Sequence, residues 1–223
     1  MKKGYANPMA EPPRGVLFIG GEGPPEGVIG RLVADSDMVV AADSGYDLAR
    51  SAGVEPDLLV GDMDSIADFA GAMRRLQGRV ERYERQKDET DTEIGLRILH
   101  ERGFRDITLV GGGGGRMDHL LGIVVLFERE IRPKRWITRG ESVVHIEREE
   151  IFDNMKGVLC SFFPVGPGMA TMRTTGLRWP LDGLSWKHGD AGVSNYGLED
   201  RVTVTMLSGQ LIMVQSLMET GNV

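Results

Sequence analysis

Positive charge is in short supply: 26 Lys and Arg stand against 33 Asp and Glu, a formal net charge of -7 at pH 7. Duplex binding needs a strongly positive surface, so nucleic acid is excluded as the main partner. Any phosphate must be handled locally, by backbone amides, a few cations and a metal. Cysteine is nearly absent. The single Cys160 excludes an intrachain disulfide, and its place in the apolar run Val158-Leu159-Cys160-Ser161-Phe162-Phe163 predicts a buried structural thiol rather than a nucleophile. Long apolar runs are missing too: none could span a bilayer, and residues 1–14 hold no export-type apolar core. The expectation is a cytoplasmic location with no membrane partner.

What the chain has in plenty is glycine, 31 of 223 residues, beside 41% hydrophobic and 26% charged residues. That is the composition of a globular, loop-rich fold rather than a helical bundle. Up to about residue 140, short apolar runs alternate with amphipathic stretches. Strands are predicted at 16–20, 38–42, 58–61, 79–83 and 107–111, and helices at 26–34, 46–52, 66–76, 92–102 and 119–130. This pattern predicts an α/β domain with an open, largely parallel sheet flanked by helices, over residues 15–140. Beyond it, strands are predicted at 143–148, 158–164, 169–174, 202–207 and 211–215, without a helix, so residues 141–223 read as an all-β sandwich or small barrel.

Ligands of open α/β sheets bind beyond the carboxyl ends of the strands. Asp43-Ser44-Gly45 follows the second predicted strand, Gly61-Asp62-Met63-Asp64-Ser65 the third, and the glycines at 111–115 with Arg116-Met117-Asp118-His119 the fifth. Asp62 and Asp64 are two apart, so in an extended segment both carboxylates face one side and can share magnesium, which prefers hard oxygen ligands. The competing reading is that Asp64 or Ser65 caps the helix expected at 66. In Gln86-Lys87-Asp88-Glu89-Thr90-Asp91, Asp88 or Thr90 could cap a helix, but the turn holds more polar groups than a cap needs. The glycine run lets backbone amides approach a phosphate, with Arg116 as a fixed cation. A flexible loop is the alternative, and no Gly-Lys-Ser/Thr completes a Walker pattern. His119 is a candidate general base, with a structural role at a helix start as its rival.

Taken together, Ala42-Asp43-Ser44-Gly45, Gly61-Asp62-Met63-Asp64-Ser65, Asp88-Glu89-Thr90-Asp91 and Gly114-Gly115-Arg116-Met117-Asp118-His119 resemble, in order and spacing, the motifs of the thiamine pyrophosphokinase family. Gly176-Leu177-Arg178-Trp179-Pro180-Leu181 and Gly192-Val193-Ser194-Asn195 extend the resemblance into the second half, while the stretch after Asn195 departs from it. The resemblance implies transfer of the pyrophosphoryl group of ATP to thiamine, giving thiamine diphosphate and AMP. It also implies a homodimer whose sites lie between the α/β domain of one chain and the sandwich of the other. By matching position, Asp62, Asp64 and Asp91 are the implied magnesium ligands. Asp43, Thr90, Arg116 and Asp118 fall at nucleotide and phosphate positions, with Asp88 and His119 as neighbouring candidates. Trp179, Ser194 and Asn195 fall in the thiamine pocket. Lys87 and His119 stand where members vary.

In that reaction the thiamine hydroxyl attacks the β-phosphorus of ATP in line, so the protein chiefly positions groups and neutralises charge, and Asp91 or Asp118 is the expected acceptor of the hydroxyl proton. Two rivals use the same residues: a metal-dependent phosphohydrolase with water as nucleophile, and a nucleotide- or thiamine-binding regulator without turnover.

Overall fold

The computed structural model describes residues 12–217. The expectations for most of residues 1–14 and for 218–223, the end of the second domain, therefore fall outside the described residues. The first half alternates strand and helix: β1 (Arg14–Phe18), α1 (Glu26–Ala34), β2 (Met38–Ala42), α2 (Gly45–Ser51), β3 (Leu58–Gly61), α3 (Phe69–Leu76), β4 (Val80–Arg82), α4 (Asp91–Glu101), β5 (Asp106–Val110) and α5 (Met117–Leu126). Strands follow: β6 (Arg135–Ile137), β7 (Glu141–Ile146), β8 (Glu149–Phe152), β9 (Leu159–Val165), β10 (Ala170–Thr175), β11 (Ser185–Trp186), β12 (Gly192–Tyr196), β13 (Val202–Ser208) and β14 (Gln210–Ser216). Among the described residues no helix is long and apolar enough to cross a membrane.

All five residues of β2 are buried, the mark of a parallel strand covered on both faces. Side chains alternate accordingly. Leu17, Val40 and Leu109 enter one core with Leu99 of α4 and Phe127, while Val16, Phe18, Val39 and Leu59 enter another with Tyr46 of α2 and Ala72 of α3. Strands β4, β3, β2, β1, β5 and β6 lie side by side in parallel. The chain builds outward from β1 to β4 and then returns to the other side of β1 with β5, so the topological switch point, where ligands of such sheets bind, lies between β1 and β5.

The second half is a β-sandwich, but its layers are unequal in origin. β7, β14, β9 and β12 continue the parallel sheet, antiparallel from β6 onward, giving one ten-stranded sheet. β11, β10, β13 and β8 form a separate four-stranded antiparallel sheet. Ile146, Phe162, Leu211 and Met213 of the first layer pack on Met172, Val202 and Val204 of the second. Cys160 belongs to this core, 1% exposed, and burial pushes its thiol up to about 11, as expected of a structural cysteine. β6, β8, β11 and β12 were not legible in the sequence, being short or half-exposed.

Candidate active site

The acidic loops meet at the carboxyl edge of the sheet. Asp43 follows the last residue of β2 and Asp62 the last of β3, and both exits pass through a left-handed backbone, at Asp43 (φ 46°) and Met63 (φ 68°). Such non-glycine conformations are strained and concentrate at functional sites. Met63 is buried, and its turn replaces the extended segment expected for Asp62-Met63-Asp64. The carboxylates converge nonetheless: Asp43, Asp62 and Asp64 each offer an oxygen, all within 4.8 Å of one another. Hydrogen bonds fix them. Asp64 N donates to Asp62 Oδ1 at 3.1 Å, Ser65 Oγ to Asp64 Oδ1 at 2.8 Å, and Ser65 N to Asp43 Oδ1 at 3.4 Å. Asp64 and Ser65 are not helix caps. α3 begins at Phe69, three residues later than expected, and Asp68 caps it by accepting from Gly71 N at 2.8 Å.

Asp91, the first residue of α4, stands beside this group rather than within it. A Cβ at Gly61 would lie 3.1 Å from the Asp91 carboxyl and 3.3 Å from Asp43 Cβ, so glycine there lets both side chains stand over the end of β3. Burial raises the Asp43 carboxyl above its ordinary value, and the charge of Asp91 adds to this, against hydrogen bonds from Ser65 that lower it. Lys87 Nζ is 2.8 Å from Asp91 Oδ1, yet that oxygen has no hydrogen bond, so charge alone holds the pair. Thr90 is the N-cap of α4 in a full capping box: its N and Oγ1 both lie 2.7 Å from Glu93 Oε2, and Glu93 N donates back at 3.3 Å. Asp88 is exposed.

The glycine run is not a flexible loop. Gly111, Gly112 and Gly113 donate to Ile137 O, Gly20 O and Glu22 O at 3.1, 2.9 and 3.1 Å, and Trp136 Nε1 donates to Gly111 O at 2.8 Å. A Cβ at Gly111 would meet Ile19 O at 2.3 Å, and φ there is +111°. The run thus zips onto the segment after β1, and only Gly114 and Gly115 keep amides without a protein partner among the described residues. Arg116 follows, gripping Asp118 through Nε at 3.0 Å and Nη2 at 2.5 Å. That pairing lowers the Asp118 carboxyl below its ordinary value. His119 is exposed on the first turn of α5.

A cavity of about 760 Å³ at the switch point is lined by Asp43, Asp91, Gly114, Arg116, Asp118 and His119, among others. A second, of about 500 Å³, is lined by Asp62, Asp64, Arg82, Tyr83, Glu84 and Arg85. The acidic cluster contributes to both, Asp43 to the first and Asp62 and Asp64 to the second. Trp179, Ser194 and Asn195 line neither. Asn195 is 4% exposed, and its side chain ties down the Trp179 loop, accepting from Trp179 N at 3.2 Å and donating to Trp179 O at 2.7 Å. It is a brace. Trp179, 55% exposed and edge-on to Tyr196, and Ser194, in a left-handed conformation (φ 61°), are what this end of the sandwich presents to solvent.

Residues 29–137 match the family profile described as Thiamin pyrophosphokinase, catalytic domain, and residues 141–211 match Thiamin pyrophosphokinase, vitamin B1 binding domain. The chain belongs to the thiamin pyrophosphokinase family. It is 27% identical over 206 residues to a thiamine pyrophosphokinase of Bacillus subtilis (strain 168), spanning 87% of this chain and 95% of that one. The crystal structure of thiamin pyrophosphokinase from Geobacillus thermodenitrificans superposes with a TM-score of 0.72 at 25% identity, covering 92% of this chain and 99% of that one. The Bacillus subtilis structure gives the same TM-score and identity over 91% and 98%.

Asp43, expected at the nucleotide, is gathered with Asp62 and Asp64, and Asp91, expected on the metal, stands alongside. The sequence motifs had no place for Arg85, Glu93 or Arg129. The Thr90-x-x-Glu93 spacing was a visible signal for Glu93; nothing local marked Arg129, whose ion pair with Glu93 joins segments distant in sequence.

Proposed function

We propose that this chain catalyses magnesium-dependent transfer of the terminal pyrophosphoryl group of ATP to the hydroxyl of thiamine, yielding thiamine diphosphate and AMP. The observation that carries this reading is the convergence of Asp43, Asp62 and Asp64 beside a nucleotide-sized cavity at the switch point of a family-typical sheet. The donor set suits magnesium: three hard oxygen ligands beyond the ends of β2 and β3, where burial first and the charge of Asp91 last disfavour ionisation of Asp43. When bound, the ion offsets negative charge on the phosphate oxygens at the reacting centre.

The chain's own groups do the rest. Gly114 and Gly115 amides and the Arg116 guanidinium hold phosphate oxygens, with Asp118 keeping Arg116 in place. Asp91, over the end of β3, is the remaining carboxylate placed to accept the hydroxyl proton. In-line attack at the β-phosphorus then depends mainly on positioning. The acidic surface also favours approach of cationic thiamine.

Among the described residues, Trp179 and Ser194, the residues expected at thiamine, line neither cavity of their own chain. This supports a homodimer in which residues 15–140 of one chain meet residues 141–223 of the other. α5 adds support, because Met117, Leu121, Val124 and Val125 leave an apolar stripe exposed for a second copy to cover. A cytoplasmic location goes with ATP as co-substrate. Incubation with ATP, magnesium and thiamine, followed by product separation, tests the reading. AMP and thiamine diphosphate should form in equal amounts. ADP with thiamine monophosphate, ATP hydrolysis that ignores thiamine, or binding without turnover would overturn it.

A further inference from the structure

Two cations on one short segment cover carboxylates of the site, and the reaction outlined above leaves both without a task. Between β4 and α4 the chain runs Tyr83-Glu84-Arg85-Gln86-Lys87. Arg85 Nη2 lies 3.0 Å from Asp64 Oδ2, and Lys87 Nζ lies 2.8 Å from Asp91 Oδ1. Their settings differ: the Arg85 side chain is 81% exposed, that of Lys87 only 17%.

Neither pair reads as a structural tie. An ion pair as exposed as Arg85 with Asp64 is weak and exchanges readily. The Lys87 pair is enclosed but lacks a directed hydrogen bond, since Asp91 Oδ1 has none. Both carboxylates are also wanted elsewhere. Asp64 is one of the three oxygen donors within 4.8 Å, so a divalent cation there competes directly with the guanidinium. Arg85, Arg82, Asp62 and Asp64 share the cavity of about 500 Å³, which gives a displaced guanidinium room to move. A cation freed at a carboxylate that takes up a metal bound to polyphosphate has a new partner in the phosphate oxygens.

We propose that Arg85 and Lys87 are exchangeable counter-cations: in the ligand-free protein they neutralise Asp64 and Asp91, and when the metal-bound polyphosphate arrives they transfer to its oxygens and position the pyrophosphoryl group. This rests on the pyrophosphoryl-transfer reading and adds two positioning residues to it. The signature is a pair of opposed effects. Removing either cation unmasks a carboxylate, which tightens metal binding to the ligand-free protein, and deletes a phosphate contact, which weakens binding of metal with ATP.

The test uses Arg85→Ala, Lys87→Gln and the charge-keeping Arg85→Lys, with Arg31→Ala on the exposed face of α1 as a charge control. Mn2+ alone is titrated by the resonance signal of the free ion, MgATP binding is measured by calorimetry without thiamine, and KM and kcat are measured with it. Arg85→Ala and Lys87→Gln should bind Mn2+ about three- to tenfold more tightly and show a KM for ATP raised about tenfold. Arg85→Lys should return towards wild type, and Arg31→Ala should shift neither value. Affinities that fall together, or do not change, would overturn the proposal; should Lys87→Gln not fold, Arg85→Ala decides alone. Wild-type protein that makes no thiamine diphosphate would overturn the transfer reading and this inference with it, whereas normal wild-type turnover without opposed shifts would overturn this inference only.

Discussion

Asp43 and Asp118 carry the same carboxyl group and are driven in opposite directions by their surroundings. Burial and the neighbouring Asp91 raise the one, and a bidentate guanidinium at the open end of the glycine run lowers the other. The strongest such effect on a histidine lies away from the site, at His145, which is 2% exposed with Nε2 3.1 Å from Gln210 Oε1. Burial, and then the charge of Arg132, push its pKa down to about 4, with Lys134 adding to this and Glu147 opposing it. A base whose folded pKa lies below the ordinary 6.5 leaves the unfolded chain binding more protons in between. The neutral imidazole therefore contributes its full stability above pH 6.5 and loses it as pH falls towards 4, by at most roughly 3 kcal/mol. Denaturant unfolding between pH 7 and 4.5 should show a shallower fall in stability for His145→Asn than for wild type. Parallel curves would mean that His145 titrates alike in both states.

At the scale of the element, the start of α4 sets where Asp91 stands. Thr90 and Glu93 close the capping box, and the second Glu93 oxygen pairs with Arg129 beyond the end of α5, so two helices that flank the larger cavity are tied through one carboxylate. The motif that sequence resemblance places at the nucleotide is thus, for Thr90, a helix cap. Thr90→Ala should cost about 1 kcal/mol, lowering Tm by roughly 2–4 °C for a chain of this size. It should lower kcat by more than that loss of stability explains, because Asp91 loses its fixed position. Calorimetric melting together with steady-state rates measured well below Tm checks both parts, and an unchanged kcat would leave the box a purely structural device.

Across the whole molecule, the ten-stranded sheet makes the α/β layer and one layer of the sandwich a single sheet. Val143, Val165 and Ile212 from the second half pack with Leu109, Trp136 and Phe127 from the first. Trp179 and Ser194 nonetheless line neither cavity of their own chain. If two copies complete each other's sites, mixing Asp64→Asn chains with Trp179→Ala chains gives heterodimers with one intact site and one site carrying both lesions. Trp179 suits this better than Asn195, whose truncation would loosen the loop it braces. With each homodimer nearly inactive, subunit exchange should restore activity towards a quarter of wild type, since about half the dimers are mixed under random pairing. Confirmed exchange with no recovery would place the whole site within one chain.

The sequence by itself determined the alternation of strand and helix, the turn-rich second half, the loops that follow β2, β3 and β5, and a helix start near Thr90. Each of these depends on periodicity or on neighbours a few residues apart, which a linear chain displays. It could not decide that Asp43 rather than Asp91 shares a cluster with Asp62 and Asp64, because the left-handed turns at Asp43 and Met63 redirect those side chains after the strands have paired. Nor could it decide that Asp68 takes the cap and frees Asp64, that Asn195 is buried as a brace for the Trp179 loop, or that three of the five glycine amides are engaged. These outcomes were fixed by tertiary structure, since each depends on which backbone groups remain unpaired once distant segments have packed, and burial makes every such pairing obligatory.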